Sequence, residues 1–271
     1  MSGTRRIGVL STGYPRMLPP APTAIATGAD GLEAGEVWVP VADGELPAYR
    51  AQPGAPGPHP ILLVVQEVFG VDEYLKDTCR RAAHAGYLAI APELFARQGR
   101  AGECKSREEL FALVGAAPDA QVMSDLDACV EFAVRTLGGD GARVGITGFC
   151  WGGRTTWLYA ARNPRLRAGV AWYGRLVGDT DPRHPRHPID VAAELHAPVL
   201  GLYGSEDQGI PLDTVERMKK ALEAAGSKSS FVVYAGAPHA FHADYRPSYQ
   251  AENAKDGWAR MLGFLREHGA A

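Results

Sequence analysis

One short stretch restricts this chain more than any other: Gly148-Phe149-Cys150-Trp151-Gly152-Gly153. It follows a compact run, Arg143 to Thr147, that reads as a buried strand, and precedes Thr155 to Asn163, which reads as a helix. A strand, a sharp turn carrying one nucleophilic side chain, then a helix make a nucleophile elbow, here with Cys where Ser is more usual. The central residue of such a turn is strained, often at positive φ. Its neighbours must therefore be small if strand and helix backbones are to approach. The arrangement puts a thiol at the positive end of a helix, where a thiolate is stabilised.

The rest of the chain supplies a setting for that turn. Residues 1–34 are rich in Pro, Ala, Gly and Thr without periodicity, and read as an arm. Glu36 to Val41 and Leu46 to Ala51 alternate on either side of Ala42-Asp43-Gly44-Glu45, a β-hairpin. Pro60 to Gln66 is a continuous apolar run, hence a strand buried on both faces. Further strands are expected at Tyr87–Ala91, Ala168–Tyr173, Ala197–Tyr203 and Ser230–Tyr234. Helices are expected at Asp72–Ala85, Ser106–Ala116, Asp119–Leu137, Leu212–Ala225 and Tyr249–Glu267. Gly138 to Gly141 reads as a break, and Asp179 to Pro188, with three prolines and two histidines, as loop. Strand and helix alternate from residue 60 onward. The expected fold is therefore α/β: a mostly parallel central sheet with helices on both faces and an N-terminal antiparallel hairpin. Residues 35–271 form one domain in this reading, since no linker interrupts them.

Composition narrows the function. Net charge is −3 with 22% charged residues and no basic stripe, which argues against nucleic acid as a partner. No apolar run reaches ~18 residues, so no transmembrane helix is expected. Cys79, Cys104, Cys129 and Cys150 form no CxxC and no Cys/His pair at zinc spacing. Three are expected to be unpaired thiols and no metal is implied. This usage points to a reducing, cytoplasmic compartment. Arg5-Arg6 before Ile7-Gly8-Val9-Leu10 offers the alternative of an export signal, but the apolar run stops at Ser11.

In a parallel sheet, chemistry collects at the carboxyl ends of the strands. There the chain places Glu67-Val68-Phe69-Gly70, Pro92-Glu93-Leu94, Cys150, Gly204-Ser205-Glu206-Asp207 and Pro238-His239. The order Cys150, Asp207, His239 is the nucleophile–acid–histidine order of the α/β-hydrolases. Cys150 would attack a carbonyl carbon, with His239 as base and then acid. Asp207 would hold the imidazole tautomer, with Glu206 as the competing acid. Backbone N–H groups of Trp151 and Val68 would meet the oxyanion. His84 and His242 compete with His239; His84 reads as structural. His184 and His187 read as solvated. Glu67, directly after a buried strand, would hydrogen-bond the resting thiol or pair with Arg97 or another cation. Phe69, Trp172, Tyr173, Phe241 and His242 are the expected pocket lining.

These residues resemble the dienelactone hydrolases (carboxymethylenebutenolidases). The matching pieces are Gln66 to Val71, Pro92 to Gln98, Gly148 to Gly153, Tyr203 to Asp207 and Pro238 to Phe241, in order over roughly residues 35–268. The resemblance implies a cofactor-free α/β-hydrolase that cleaves esters or lactones through a Cys-His-Asp triad and a thioester. It also implies that the glutamate at Glu67 contacts the thiol at rest and is displaced by substrate. Two family arginines bind the substrate carboxylate. One matches Arg97; the other position is Ala243, a departure for which Arg246, Arg154 or Arg175 could substitute. The expected partner is a small-molecule ester or lactone, with the chain a monomer or weak homodimer. A broad carboxylesterase, or a non-hydrolytic redox or ligand-binding thiol protein, are the competing readings.

Overall fold

The computed structural model describes residues 4–11 and 14–271. Its strands are β1 (Leu32–Val41), β2 (Gly44–Pro53), β3 (His59–Val65), β4 (Leu88–Pro92), β5 (Gly139–Phe149), β6 (Leu166–Trp172), β7 (Val199–Gly204) and β8 (Ser230–Tyr234). Its helices are α1 (Glu73–His84), α2 (Arg107–Gly115), α3 (Asp119–Thr136), α4 (Trp151–Arg162), α5 (Leu212–Ala224) and α6 (Ala251–Glu267). The strands form one sheet in the order β1-β2-β4-β3-β5-β6-β7-β8. The β1–β2 and β2–β4 pairs are antiparallel and every other pair is parallel. This is the expected α/β architecture with its antiparallel hairpin at one edge.

Residue alternation along β6 shows why the central strands are apolar on both sides. Gly169 faces Thr156 of α4, whereas Trp172, three residues on and therefore on the other face, meets Gly257 of α6. Helix α1 joins α6 on that face through Arg81, whose guanidinium lies 5.0 Å from the Trp258 ring centre. Helix α3 joins α4 on the opposite face, where the Tyr159 hydroxyl donates to Asp127 at 3.0 Å. Ile61 to Val65 of β3, between these layers, are fully buried.

Strand β1 starts at Leu32, inside the expected arm, and two further shifted boundaries involve glycines. Strand β5 starts at Gly139 rather than Arg143, pairing Gly139 with His59; a Cβ there would strike the Ile61 side chain. Helix α4 starts at Trp151 rather than Thr155. Gly152 and Gly153 are weak helix formers, so pattern alone postpones the start. Residues 1–3 and 12–13 of the expected arm lie outside the described residues. Arg5 to Leu10 run beside the hairpin: Ile7 N donates to Glu45 O at 2.8 Å, Glu45 N donates to Arg5 O at 2.9 Å, and Ile7 and Leu10 are buried. No helix among the described residues is long and apolar enough to cross a membrane.

Because Gly257 lets α6 sit directly on Trp172, a larger side chain there has to lift the helix. Gly257→Val is expected to lower stability by about 1–3 kcal/mol in urea unfolding, a cost of overpacking. An unchanged midpoint would count against this contact.

Candidate active site

Cys150 sits between β5 and α4 with φ 54° and ψ −110°, the strained geometry an elbow needs. The turn is held by backbone. Cys150 N donates to Trp172 O at 3.0 Å, and Gly153 N donates to Cys150 O at 3.0 Å. A Cβ on Gly148 would collide with Gly152 O, one on Gly152 with Val65 O, and one on Gly153 with Trp172 O. Three backbones thus meet at one point, and only glycine fits at each contact.

His239 lies after β8, and its Nδ1 is 2.7 Å from Asp207 Oδ2. The other Asp207 oxygen accepts from Gly209 N at 2.9 Å and Ile210 N at 3.1 Å, which orients the carboxylate. Asp207 is buried and Glu206 is exposed, so the geometry favours Asp207 as the acid. Burial opposes the charged imidazole. Hydrogen bonding and charge from Asp207 and Cys150 outweigh it, and His239 is pushed up to about 10.

Cys150 and His239 open into a cavity of about 710 Å³ that also takes in Val68, Phe69, Trp151 and Arg246. The Trp151 N–H belongs to the first turn of α4, where backbone donors have no partner within the helix. Val68 N, in the loop after β3, has no protein acceptor among the described residues. Both can serve a developing oxyanion.

Glu67 is buried next to this cavity, and it adopts the cation-paired alternative rather than a contact with the thiol. Its Oε2 accepts from the Tyr245 hydroxyl at 2.8 Å, and its Oε1 faces Arg246 at 3.6 Å. Among the described residues it makes no hydrogen bond to the Cys150 thiol. The cation paired with it is Arg246, not Arg97.

Arg97 is placed away from the cavity. It forks onto Asp43 of the hairpin turn at 2.7 and 2.8 Å and onto Asp125 of α3 at 2.7 and 3.1 Å. All its donor edges are thereby committed to structure. The expected lining also changes. Ala240, at φ 59°, turns the chain so that Phe241 and His242 enter the core instead of the cavity. His242 stacks on Phe149 and meets the Tyr74 hydroxyl at 2.5 Å, and burial, then Arg81, hold it well below its ordinary pKa. Trp172 is a core residue whose Nε1 donates to Thr147 Oγ1 at 3.1 Å. Tyr173 is buried at φ 40°, with its ring centre 5.1 Å from that of His239. It backs the histidine without reaching the cavity. Of the expected lining, Phe69 is in place.

The proline loop is a cavity wall rather than a solvated excursion, and both its histidines line the cavity. His184 Nε2 lies 3.0 Å from Ala117 O, and His187 Nε2 lies 2.8 Å from Asp179 O. Arg154 locks the loop down: it forks onto Asp119 at 2.7 and 2.8 Å and donates to Arg186 O at 2.7 Å. Tyr245 and the arm residues Met17 and Leu18 have no signal in the sequence, because they reach the site only through tertiary packing.

Two outcomes are expected. The folded His239 pKa lies above the ordinary 6.5, so its protonation stabilises the fold fully below pH 6.5, and this contribution is lost as pH rises towards about 10. The difference in unfolding midpoint between wild type and His239→Gln should shrink across that window; a difference that grows would contradict the assignment. Arg97→Ala strands the buried Asp125 and should cost about 3 kcal/mol in urea unfolding. The KM for a carboxylate-bearing ester should stay within about twofold of wild type, since Arg97 touches no part of the cavity.

Comparison with known proteins agrees with this geometry. The family model described as "Dienelactone hydrolase family" matches residues 46–269. A Methylorubrum extorquens protein named "Putative carboxymethylenebutenolidase" is 59% identical over 265 residues, covering 97% of this chain and 91% of its own. A Bradyrhizobium protein named "Probable 2-oxo-3-(5-oxofuran-2-ylidene)propanoate lactonase" is 32% identical, covering 82% of this chain and 89% of its own. The crystal structure titled "Putative Dienelactone Hydrolase from Klebsiella pneumoniae subsp. pneumoniae MGH 78578" superposes with a TM-score of 0.85 at 56% identity, covering 87% of this chain and 99% of that one. With an elbow cysteine, an Asp-His pair and a matching fold in one chain, this protein belongs to the dienelactone hydrolase family of carboxylic ester hydrolases.

Proposed function

We propose that the chain hydrolyses esters or lactones by covalent catalysis at Cys150, with His239 and Asp207 completing a triad. The observation that carries this reading is the pairing of a strained elbow thiol with an imidazole whose other nitrogen is fixed 2.7 Å from a buried carboxylate. In the first half-reaction Sγ attacks the carbonyl carbon as a thiolate, with its proton already held on His239 as the imidazolium. The tetrahedral oxyanion rests on the N–H groups of Trp151 and Val68. The C–O bond then breaks, His239 gives its proton to the leaving oxygen, and a thioester remains. In the second half-reaction His239, left neutral, takes a proton from water as the hydroxide attacks the thioester; the acyl–sulfur bond breaks, the acid departs, and Cys150 is left as the thiolate beside the protonated His239.

The preferred substrate in this reading is a lactone or ester bearing a carboxylate, with Arg246 as the group that binds it. Arg246 lines the cavity with Glu67 as its partner, so an incoming carboxylate would compete with Glu67 for the guanidinium. That exchange gives substrate binding a way to free Glu67. A broader carboxylesterase reading draws on the apolar half of the cavity, where Phe69, Leu110, Phe111 and Val114 would accept neutral acyl or alkoxy groups.

The test compares a dienelactone with short p-nitrophenyl esters on wild type, Cys150→Ala and Arg246→Ala. Cys150→Ala is expected to reduce turnover of both substrates by at least about 10³-fold. Residual rates near wild type would remove Cys150 as nucleophile. Arg246→Ala is expected to raise KM for the dienelactone by on the order of tenfold or more and leave the neutral ester nearly unaffected. Equal effects on both would favour the broader esterase.

A further inference from the structure

We propose that the N-terminal arm is a wall of the active site, and that Met17 and Leu18 set the size of the substrate group accepted beside Cys150. This rests on the reading of Cys150 as nucleophile. The arm precedes the family-matched segment 46–269, yet Met17 and Leu18 line the same cavity as Cys150, His239 and Arg246.

A wall selects by size only if it is held in place, and the arm is anchored on two sides. On one side, Ala21 N donates to Tyr245 O at 3.1 Å, Thr23 Oγ1 donates to Asp244 O at 2.9 Å, and Ile25 N donates to Asp244 Oδ2 at 2.8 Å. The Tyr14 ring packs on Tyr245 with centres 5.2 Å apart. These anchors grip the segment that carries Tyr245, the donor to Glu67, and Arg246. On the other side, Ser11 N and Oγ donate to Glu93 Oε2 at 3.3 and 3.1 Å, and Lys76 donates to Ser11 O at 2.9 Å. The same Glu93 oxygen accepts from Val71 N at 2.9 Å, at the end of the loop that carries Val68 and Phe69. The described arm residues therefore contact both loops that flank the thiol, and the apolar pair Met17 and Leu18 forms part of the cavity wall.

The chemistry of the wall names what it admits. Leu18 is branched and stiff, and Met17 is flexible and polarizable, so together they tolerate a compact apolar or cyclic group and crowd a longer or aromatic one. Rejection of this kind is modest, since a hydrophobic wall discriminates by steric fit alone.

The experiment measures kcat/KM for p-nitrophenyl acetate and p-nitrophenyl benzoate. The paired change Met17→Ala with Leu18→Ala is expected to raise the benzoate-to-acetate ratio by on the order of tenfold, and Leu18→Trp to lower it. Val9→Ala, an exposed arm position, serves as the control and should keep the wild-type ratio. The same variants are alkylated with iodoacetamide and with N-phenylmaleimide, and modification of Cys150 is followed by peptide mass spectrometry. The phenylmaleimide-to-iodoacetamide rate ratio should move in the same direction as the ester ratio. This second readout needs no hydrolysis, so an inactive wild type would overturn the catalytic reading and leave the wall testable. Ratios unchanged in both wall variants, with circular dichroism matching wild type, would overturn the wall.

Discussion

The site depends on one steric fact: at the elbow, the backbones of β3, β5 and β6 come together against the first turn of α4. Gly148, Gly152 and Gly153 permit that approach, and Cys150 takes up the strain at φ 54°. The pairings of β5 with β3 and with β6 over-determine the position, which is how a conformation unfavourable by ~1–3 kcal/mol persists in the native state. Everything reactive is then referenced to this point. Val68 leaves β3, Asp207 follows β7 and His239 follows β8, all at the carboxyl edge of one sheet. The geometry of Cys150, Asp207 and His239 is thus a property of strand register more than of loop conformation.

Around this rigid centre lies a concentration of buried carboxyl groups. Glu67, Asp72 and Glu93 are all buried within one turn of chain or sheet, with Lys76 and Arg246 as the nearby cations. Burial, followed by the charge of Glu67, pushes the Asp72 carboxyl well above its ordinary range, and burial pushes Glu93 up as well. Such a cluster favours a cation at its mouth. Arg246 occupies that place, and burial, then Glu67, frames its charge. An arginine from another position along the same loop thereby stands where Ala243 has no charge to offer.

Much of this was legible in the sequence because it is local or periodic. The elbow is six contiguous residues, the parallel strands are continuous apolar runs, and the acid and histidine follow their strands directly. What escaped is long-range. The two acids that hold Arg97 lie 54 and 28 residues away from it, so nothing near it signals that its fork is already occupied. His184 and His187 carry the composition of a solvated loop, yet a single arginine on α4 folds that loop inward. Phe241 and His242 follow His239 so closely that they look like lining. Only the positive φ of Ala240 sends them to the core.

The latch between Arg154, Asp119 and Arg186 has a kinetic corollary. A rim fastened by a bidentate ion pair and a carbonyl bond cannot swing as a lid unless those bonds break. The His239 side chain meanwhile remains 30% exposed, so bulk water reaches the imidazole without a gating motion. In the proposed reaction, an acyl group held on sulfur would meet solvent throughout its lifetime. Partitioning would then run towards the free acid, since transfer to another alcohol or amine would compete with the water that reaches the site.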